Sequence, residues 1–462
     1  MEAVLEPPVA KVAAPPRPPP GVQAPAVPHV RRDAAVTGAF FILFAVIILQ
    51  KVAIPLGSGG DGGRVPQLHA SVPIFAMVLA WLAVQGRVRV DVVQLGLLGL
   101  FFAACLPTML GATGEFSVAS FFAAMILYGA FAFRITIEPP AYRRILLMFQ
   151  RFMTLIAILA LGGYVYQYAF GAPMNLDALL PEPFIYREYM YLQPIVWGSS
   201  FMKPNGFFLL EASFLSQFIA LAIIIELIWF QRFRVLLLFA VTELATVAGT
   251  GLLLLAVTLP FLLVRLKARV LVPLLVLVPV LATAAVATGW TDLVEQRLAT
   301  FSQPGTSAHS RFVEPFEVPV AEVREAGAGR VFIGAGPGNV QEGPNDQWNV
   351  FSKLVIEYGV LPFVIFLTFS IVAAWRYRAS AMLAWALLIV FHFLSGAFLQ
   401  PPIVYLMFVL SMGYCTTEGA KGFAGSSGTG GTAGMADRAG GTGGTGTAGT
   451  SGRAGTSGRA GQ

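Results

Sequence analysis

The chain has 462 residues, 56% of them hydrophobic and only 12% charged, with a mean hydropathy of +0.73. So few charges cannot cover a soluble globular body of this size, and apolar runs of about 20 residues recur along the length, each able to cross a ~30 Å hydrocarbon core. The formal charge of +6 sits in short loops beside those runs, which does not indicate nucleic acid, and the two cysteines, Cys105 and Cys415, lie in apolar segments that indicate neither a disulfide framework nor a metal site.

The expected fold is all-α and polytopic, because only helices satisfy their own backbone in lipid and the runs lack the alternation of barrel strands. Residues 1–34 are rich in proline and alanine, as in Ala14-Pro15-Pro16-Arg17-Pro18-Pro19-Pro20, and read as a disordered cytoplasmic tail with no cleavable signal. A transmembrane domain is expected over 35–415. Its first six spans are placed at Ala35–Leu56, Leu68–Val84, Val92–Leu110, Phe116–Phe133, Ile145–Tyr168 and Phe207–Phe230. Six more follow at Val235–Val247, Thr250–Val264, Val270–Trp290, Leu354–Trp375, Ala381–Leu399 and Ile403–Tyr414, which makes about twelve. Residues 416–462 are almost wholly Gly, Thr, Ala and Ser and read as a flexible cytoplasmic tail.

Basic residues test this count. Arg31 and Arg32 precede the first span; Arg87 and Arg89 follow the second; Arg134, Arg143 and Arg144 the fourth; Arg232 and Arg234 the sixth; Arg265, Lys267 and Arg269 the eighth; Arg376 and Arg378 the tenth. Every second loop is basic, so the positive-inside bias places both termini in the cytoplasm. The same bias splits Val235–Val264 into a hairpin turning at Ala248-Gly249. Two extracytoplasmic loops are long, 171–205 and 291–347, the second between spans 9 and 10, and long polar loops indicate work done on that face.

Ionisable residues inside or beside spans cost roughly 2.5–3.5 kcal/mol on insertion scales, so they are the first candidates for function. Lys203 stands at a membrane face, where it can also snorkel to headgroups. Glu211 lies about one turn inside the next span, and Glu243 is deep in a short one. The second long loop carries His309, Arg311, Arg324 and Arg330. Arginine presents a planar, always-charged fork suited to phosphate oxygens; the plainer reading is salt bridging with Glu314, Glu317, Glu322 or Glu325. The turn Gly334-Ala335-Gly336-Pro337-Gly338-Asn339 opens no helix of a βαβ unit and is no dinucleotide fingerprint, although its amides could form an anion nest. Asn349, Lys353 and Glu357, spaced i, i+4, i+8, share one helical face that is expected to meet a polar cavity, with a simple Lys353–Glu357 pair as the other reading.

The order of these features resembles the O-antigen ligase and polymerase superfamily of bacterial envelopes: a long outside loop with arginines, a G-x-G-x-G-N turn, a polar loop, then N-x9-G from Asn349 to Gly359 at the start of a span. Lys203-Pro204-Asn205-Gly206-Phe207-Phe208 with Glu211-Ala212-Ser213 looks like a second element of that family, written around R-x-x-G and E-P-S, and Thr250-Gly251-Leu252-Leu253 is similar to a third. Two departures stand out. Trp348 occupies the place where ligases carry a histidine, and Lys203 replaces the arginine of R-x-x-G.

The resemblance implies a glycosyltransferase of the bacterial inner membrane that joins undecaprenyl-pyrophosphate-linked oligosaccharide repeat units into exopolysaccharide or O-antigen. It implies no cofactor and, with no D-x-D cluster in the outside loops, no metal. Arg311 is expected on the pyrophosphate with Lys203, and Arg324, Arg330, Asn349, Lys353 and Glu357 as further substrate contacts. Glu211, His309 and Asp346 are the candidate bases, in that order. A flippase and a chain-length regulator are the implied partners. A ligase acting on lipid A core and a transporter of the lipid-linked glycan remain the alternatives.

Overall fold

The computed structural model describes residues 33–57, 67–111, 117–187, 189–195, 198–263, 268–287, 328–338, 349–396 and 398–416, with scattered positions between 299 and 317. The tails expected at 1–34 and 416–462 lie outside the described residues but for their inner edges, as does most of the loop expected at 291–347. Of the described residues, 71% are helical.

Helix α1 (Ala34–Ile47) starts where the Asp33 carboxylate accepts the amide of Ala35 at 3.1 Å. It stops well before Leu56. The chain turns at Leu49-Gln50-Lys51 into strand β1 (Ala53–Pro55), which pairs antiparallel with β2 (Gln67–His69) ahead of α2 (Ser71–Val84). Strand β3 (Val88–Val90) leads to α3 (Val92–Gly111), and α4 (Val118–Gly129) leads to β4 (Phe133–Ile137). Proline at the first turn of α5 (Pro139–Phe170) suits a helix start, and left-handed Gly171 ends it by donating to the Gln167 carbonyl at 2.8 Å. Helix α6 (Ala212–Ile225) widens into a π-type turn over Glu226–Phe230. Next come α7 (Phe233–Ala245), α8 (Gly249–Leu263), α9 (Ala268–Ala287), α10 (Ala328–Ile333), α11 (Val350–Tyr358), α12 (Val360–Trp375), α13 (Ala381–Ile389) and α14 (Pro401–Met407). Strand β5 (Tyr414–Thr416) completes a small sheet in the order β3-β4-β5, antiparallel then parallel.

Among the described residues, three helical stretches are long and apolar enough to cross a membrane: Val92–Gly111, Pro139–Phe170 and Ala212–Phe230, of 20, 32 and 19 residues. At ~1.5 Å per residue they reach about 28–48 Å. The hairpin expected in Val235–Val264 is present as α7 and α8, turning through Val247 at φ 48; at 13 and 15 residues each arm extends only ~20–22 Å. Every residue of α6 from Ala212 to Ile225 is buried, because α5, α7, α8 and α13 surround it. Large apolar side chains such as Leu110, Val165, Val276 and Leu361 are exposed instead. Apolar side chains turned outward from helices of spanning length suit a lipid environment, and they associate the chain with a bilayer.

The two ends of α5 differ. Beside its first turn, at the edge of the β3-β4-β5 sheet, Asp91 just after β3 accepts from Arg134 Nε of β4 at 3.1 Å and from Arg376 Nη1 at 3.0 Å, with both guanidinium groups over the Tyr377 ring. Burial lowers the Arg134 pKa against the opposing pull of Asp91. Beyond its last turn lies the region described next.

Candidate functional site

The turn before α6 is built from the sequence that resembles R-x-x-G. Asn205 Oδ1 accepts the Phe207 amide at 3.0 Å and its Nδ2 donates to the Tyr191 carbonyl at 3.0 Å. Gly206 has φ 67 and lies against Ile156 of α5, where a Cβ would collide with the isoleucine, so the turn requires glycine there. The Lys203 amide is fixed on the Gln193 carbonyl at 2.7 Å. Glu211 then occupies the N-cap position of α6 and accepts from Ser213 Oγ at 3.0 Å. At 8% exposure its carboxylate is nearly shut off from solvent.

Several side chains from other elements gather around this turn. Lys51, fully buried just past α1, pairs with Asp177 at 3.0 Å and sits 5.0 Å from the centre of the Tyr191 ring. Burial lowers the Lys51 pKa, and Asp177 opposes that shift. Tyr191 has its hydroxyl buried without a hydrogen-bond partner; burial first, then the charges of Asp177 and Glu211, push its pKa up. His69 donates from Nε2 to the Gln50 carbonyl at 2.8 Å, because its Nδ1 is committed to accepting the Ser71 amide at 3.1 Å. Its ring meets Tyr186 edge-on, Tyr186 stacks on Tyr189, and Tyr189 meets Phe214 of α6. Gln50 Oε1 accepts the Leu210 amide at 2.8 Å and so ties the end of α1 to the start of α6.

One turn deeper, Ser216 Oγ donates to Glu243 Oε1 of α7 at 2.6 Å and accepts the Gly251 amide of α8 at 2.9 Å. Thr250 Oγ1 donates to the Ser213 carbonyl at 3.3 Å. A Cβ at Gly251 would overlap the Ser216 carbonyl and the Glu243 carboxylate. The second and third sequence elements therefore touch each other directly. Glu243 thus makes the helix-to-helix bond that is one of the roles open to a carboxylate in a short apolar helix.

The N-x9-G spacing has a mechanical meaning: the nine intervening residues are α11, with a cap at each end. Asn349 Oδ1 accepts the Ser352 amide at 2.8 Å, and Gly359, at φ 88, donates to the Val355 carbonyl before α12 begins. The span expected to run unbroken from Leu354 to Trp375 is thus broken at Gly359. Lys353 Nζ and Glu357 Oε1 pair at 2.8 Å, with Glu357 fully buried. The glycine turn packs on this helix from outside, as Ala335 and Gly336 donate to the carbonyls of Ile356 and Glu357 at 2.8 and 2.9 Å. Two amides of the candidate anion nest are spent instead on the C-terminal end of α11.

His309 is buried and directs Nδ1 toward Glu314 Oε1 at 3.3 Å, the geometry of a ring oriented by a carboxylate. The segment is tied to α11 by the stacking of Phe316 on Phe351, 5.4 Å between ring centres. The expected site residues thus fall in distinct places: Lys203 and Glu211 at the α5–α6 end, Asn349, Lys353 and Glu357 along α11, and His309 in the segment beside it. Arg311, Arg324 and Asp346 lie outside the described residues, as do Trp348 and the side chain of Arg330. Sequence reasoning passed over Lys51, Asp177 and Tyr191. Lys51 was detectable as a lysine inside an otherwise apolar run; Asp177 and Tyr191 carry no local signal.

No known protein-family profile matches this chain, and no curated protein matches it.

Proposed function

We propose that the chain is a membrane glycosyltransferase that polymerises undecaprenyl-pyrophosphate-linked oligosaccharide repeat units at the outer face of a bacterial inner membrane. In this reading about twelve crossings alternate, the basic loops and both tails are cytoplasmic, and the end of α5 that carries Gly171 is extracytoplasmic. What supports the reading most is the convergence at that end: Lys203, Glu211, Asp177, Lys51 and Tyr191 gather around the turn before α6, while the Asp91–Arg134–Arg376 cluster occupies the opposite end of α5. Polar groups collected at one face suit an enzyme working on that face better than a transporter, which needs them along its whole path.

The chemistry asks little of the protein beyond positioning and charge. The bond from the donor's anomeric carbon to the pyrophosphate oxygen breaks, and the acceptor hydroxyl oxygen bonds to that carbon. The hydroxyl proton passes to a base, and undecaprenyl pyrophosphate leaves with the electron pair. Arg311 and Lys203 stabilise the departing pyrophosphate. Glu211 is the first choice of base and His309, oriented by Glu314, the second, followed by Asp346. Arg324, Arg330, Asn349, Lys353 and Glu357 are assigned to holding the two lipid-anchored substrates, although the caps and pair seen on α11 give its three residues framework work as well. Trp348, in the place of a ligase histidine, favours polymerisation over transfer to lipid A core.

The test is genetic. A strain carrying Arg311→Ala should lose long polymer and keep short lipid-linked units on the outer leaflet. Normal polymer length would remove Arg311 from the mechanism; units held on the cytoplasmic leaflet when the chain is deleted would make it a flippase.

A further inference from the structure

The last three turns of α5 and the turn before α6 enclose an open-mouthed cavity of about 20 Å³, lined by Tyr164, Gln167, Met174, Lys203, Asn205 and Phe207 among others. Its described lining contains a lysine and no carboxylate. Gln167 is 5% exposed, and its amide nitrogen has no hydrogen-bond partner. A buried donor left unsatisfied calls for an explanation, commonly a missing water or ligand. Neighbouring Asn205 does not supply the partner: its amide group is turned to the Tyr191 carbonyl and the Phe207 amide.

We infer that this cavity is a sugar subsite, in which Gln167 Nε2 donates to an oxygen of the glycan portion of a lipid-linked repeat unit. The size decides what enters. A volume of this order holds about one water-sized group, so it takes a single exocyclic hydroxyl, hydroxymethyl or carboxylate oxygen, and the ring itself remains in the mouth. The donor chemistry decides polarity: an unpartnered amide N–H in a lining that contains no carboxylate selects an acceptor oxygen. Lys203 lines the same cavity and is the residue assigned to the pyrophosphate, so the sugar read here is the one nearest the diphosphate. Gln167 is a specificity residue in this scheme and takes no part in bond making. The inference rests on the polymerase reading.

The test uses purified full-length protein and two probes: lipid-linked repeat units extracted from a host lacking this chain, and farnesyl diphosphate, which has the diphosphate and no sugar. Gln167→Met keeps the shape of the side chain, and Gln167→Glu keeps an acceptor while removing the donor. Loss of one hydrogen bond should weaken repeat-unit binding roughly tenfold in both variants, with Gln167→Met binding farnesyl diphosphate as the wild type does. The thermal midpoint of Gln167→Met should stay the same or rise, because an unpartnered buried amide has been removed. Unchanged repeat-unit binding would overturn the inference, and so would equal weakening toward both probes, which would make Gln167 a diphosphate contact. A lowered midpoint with unaltered affinity would make it a packing residue. If the folded wild type binds no repeat units at all, the polymerase reading fails first and the subsite with it.

Discussion

Lys51 and Asp177 share an ion pair, but only the lysine is fully out of reach of water; the Asp177 side chain keeps 15% exposure. That asymmetry predicts unequal variants. Asp177→Asn leaves an uncompensated buried ammonium and should cost roughly 3–5 kcal/mol, whereas Lys51→Met removes the buried charge and should cost distinctly less. Thermal unfolding of the two variants in detergent reads the difference. His69 gives a pH dependence. Burial lowers its pKa from 6.5 to about 4 in the folded chain, so the fold holds the neutral ring. Its contribution is fully present above pH 6.5 and is lost as pH falls toward 4, by roughly 3 kcal/mol at most. Protonation at Nδ1 would also set an N–H against the Ser71 amide. His69→Gln should therefore flatten the fall in unfolding temperature between pH 6.5 and 4 that the wild type shows; an unchanged slope would assign that fall to other groups.

At the scale of elements, the glycines with positive φ or close backbone neighbours fix where helices stop and how near they approach. Gly359 combines φ 88 with a Cβ direction that runs into the Phe332 carbonyl. Gly359→Ala should destabilise by roughly 2 kcal/mol or more, through left-handed strain and displacement of α10. A midpoint equal to that of the wild type would show that α11 and α12 need no break there. These breaks also explain how much the sequence could tell. Hydropathy locates α3 within a residue, and hydropathy together with loop charge locates the α7–α8 hairpin within two, because long apolar runs have few other ways to satisfy their backbone. It overruns at α1 and starts too early at α6, since Gln50, Lys51 and Asn205 turn the chain inside stretches still apolar on average. Strands β1 to β5 are three to five residues long and leave no periodic signal. At the site, the contact between Ser216 and Gly251 spans 35 residues of sequence, and the gathering of Lys51, Asp177 and Tyr191 spans far more. Such meetings are set by tertiary packing, which single-sequence spacing does not encode.

At the scale of the whole molecule, polar clusters lie at both ends of α5 among the described residues, and the proposal depends on which end faces out. Cys105 and Cys415 are both buried, so single cysteines introduced at exposed positions can be labelled selectively. Leu179→Cys, beside Asp177, should react with a membrane-impermeant maleimide in intact spheroplasts. Val90→Cys, in the sheet beside Arg134, should react only after permeabilisation; the reverse pattern would invert the topology and place Lys203 and Glu211 in the cytoplasm. The central claim, that glycans are joined at this face, is tested most directly by reconstitution. Purified full-length protein in vesicles is supplied with lipid-linked repeat units from a host that lacks it, and glycan length is followed together with released undecaprenyl pyrophosphate. The account predicts a ladder of longer lipid-linked glycans, one carrier released for each unit added, and loss of both in Lys203→Ala and Arg311→Ala. Units that stay single while crossing the bilayer would contradict it.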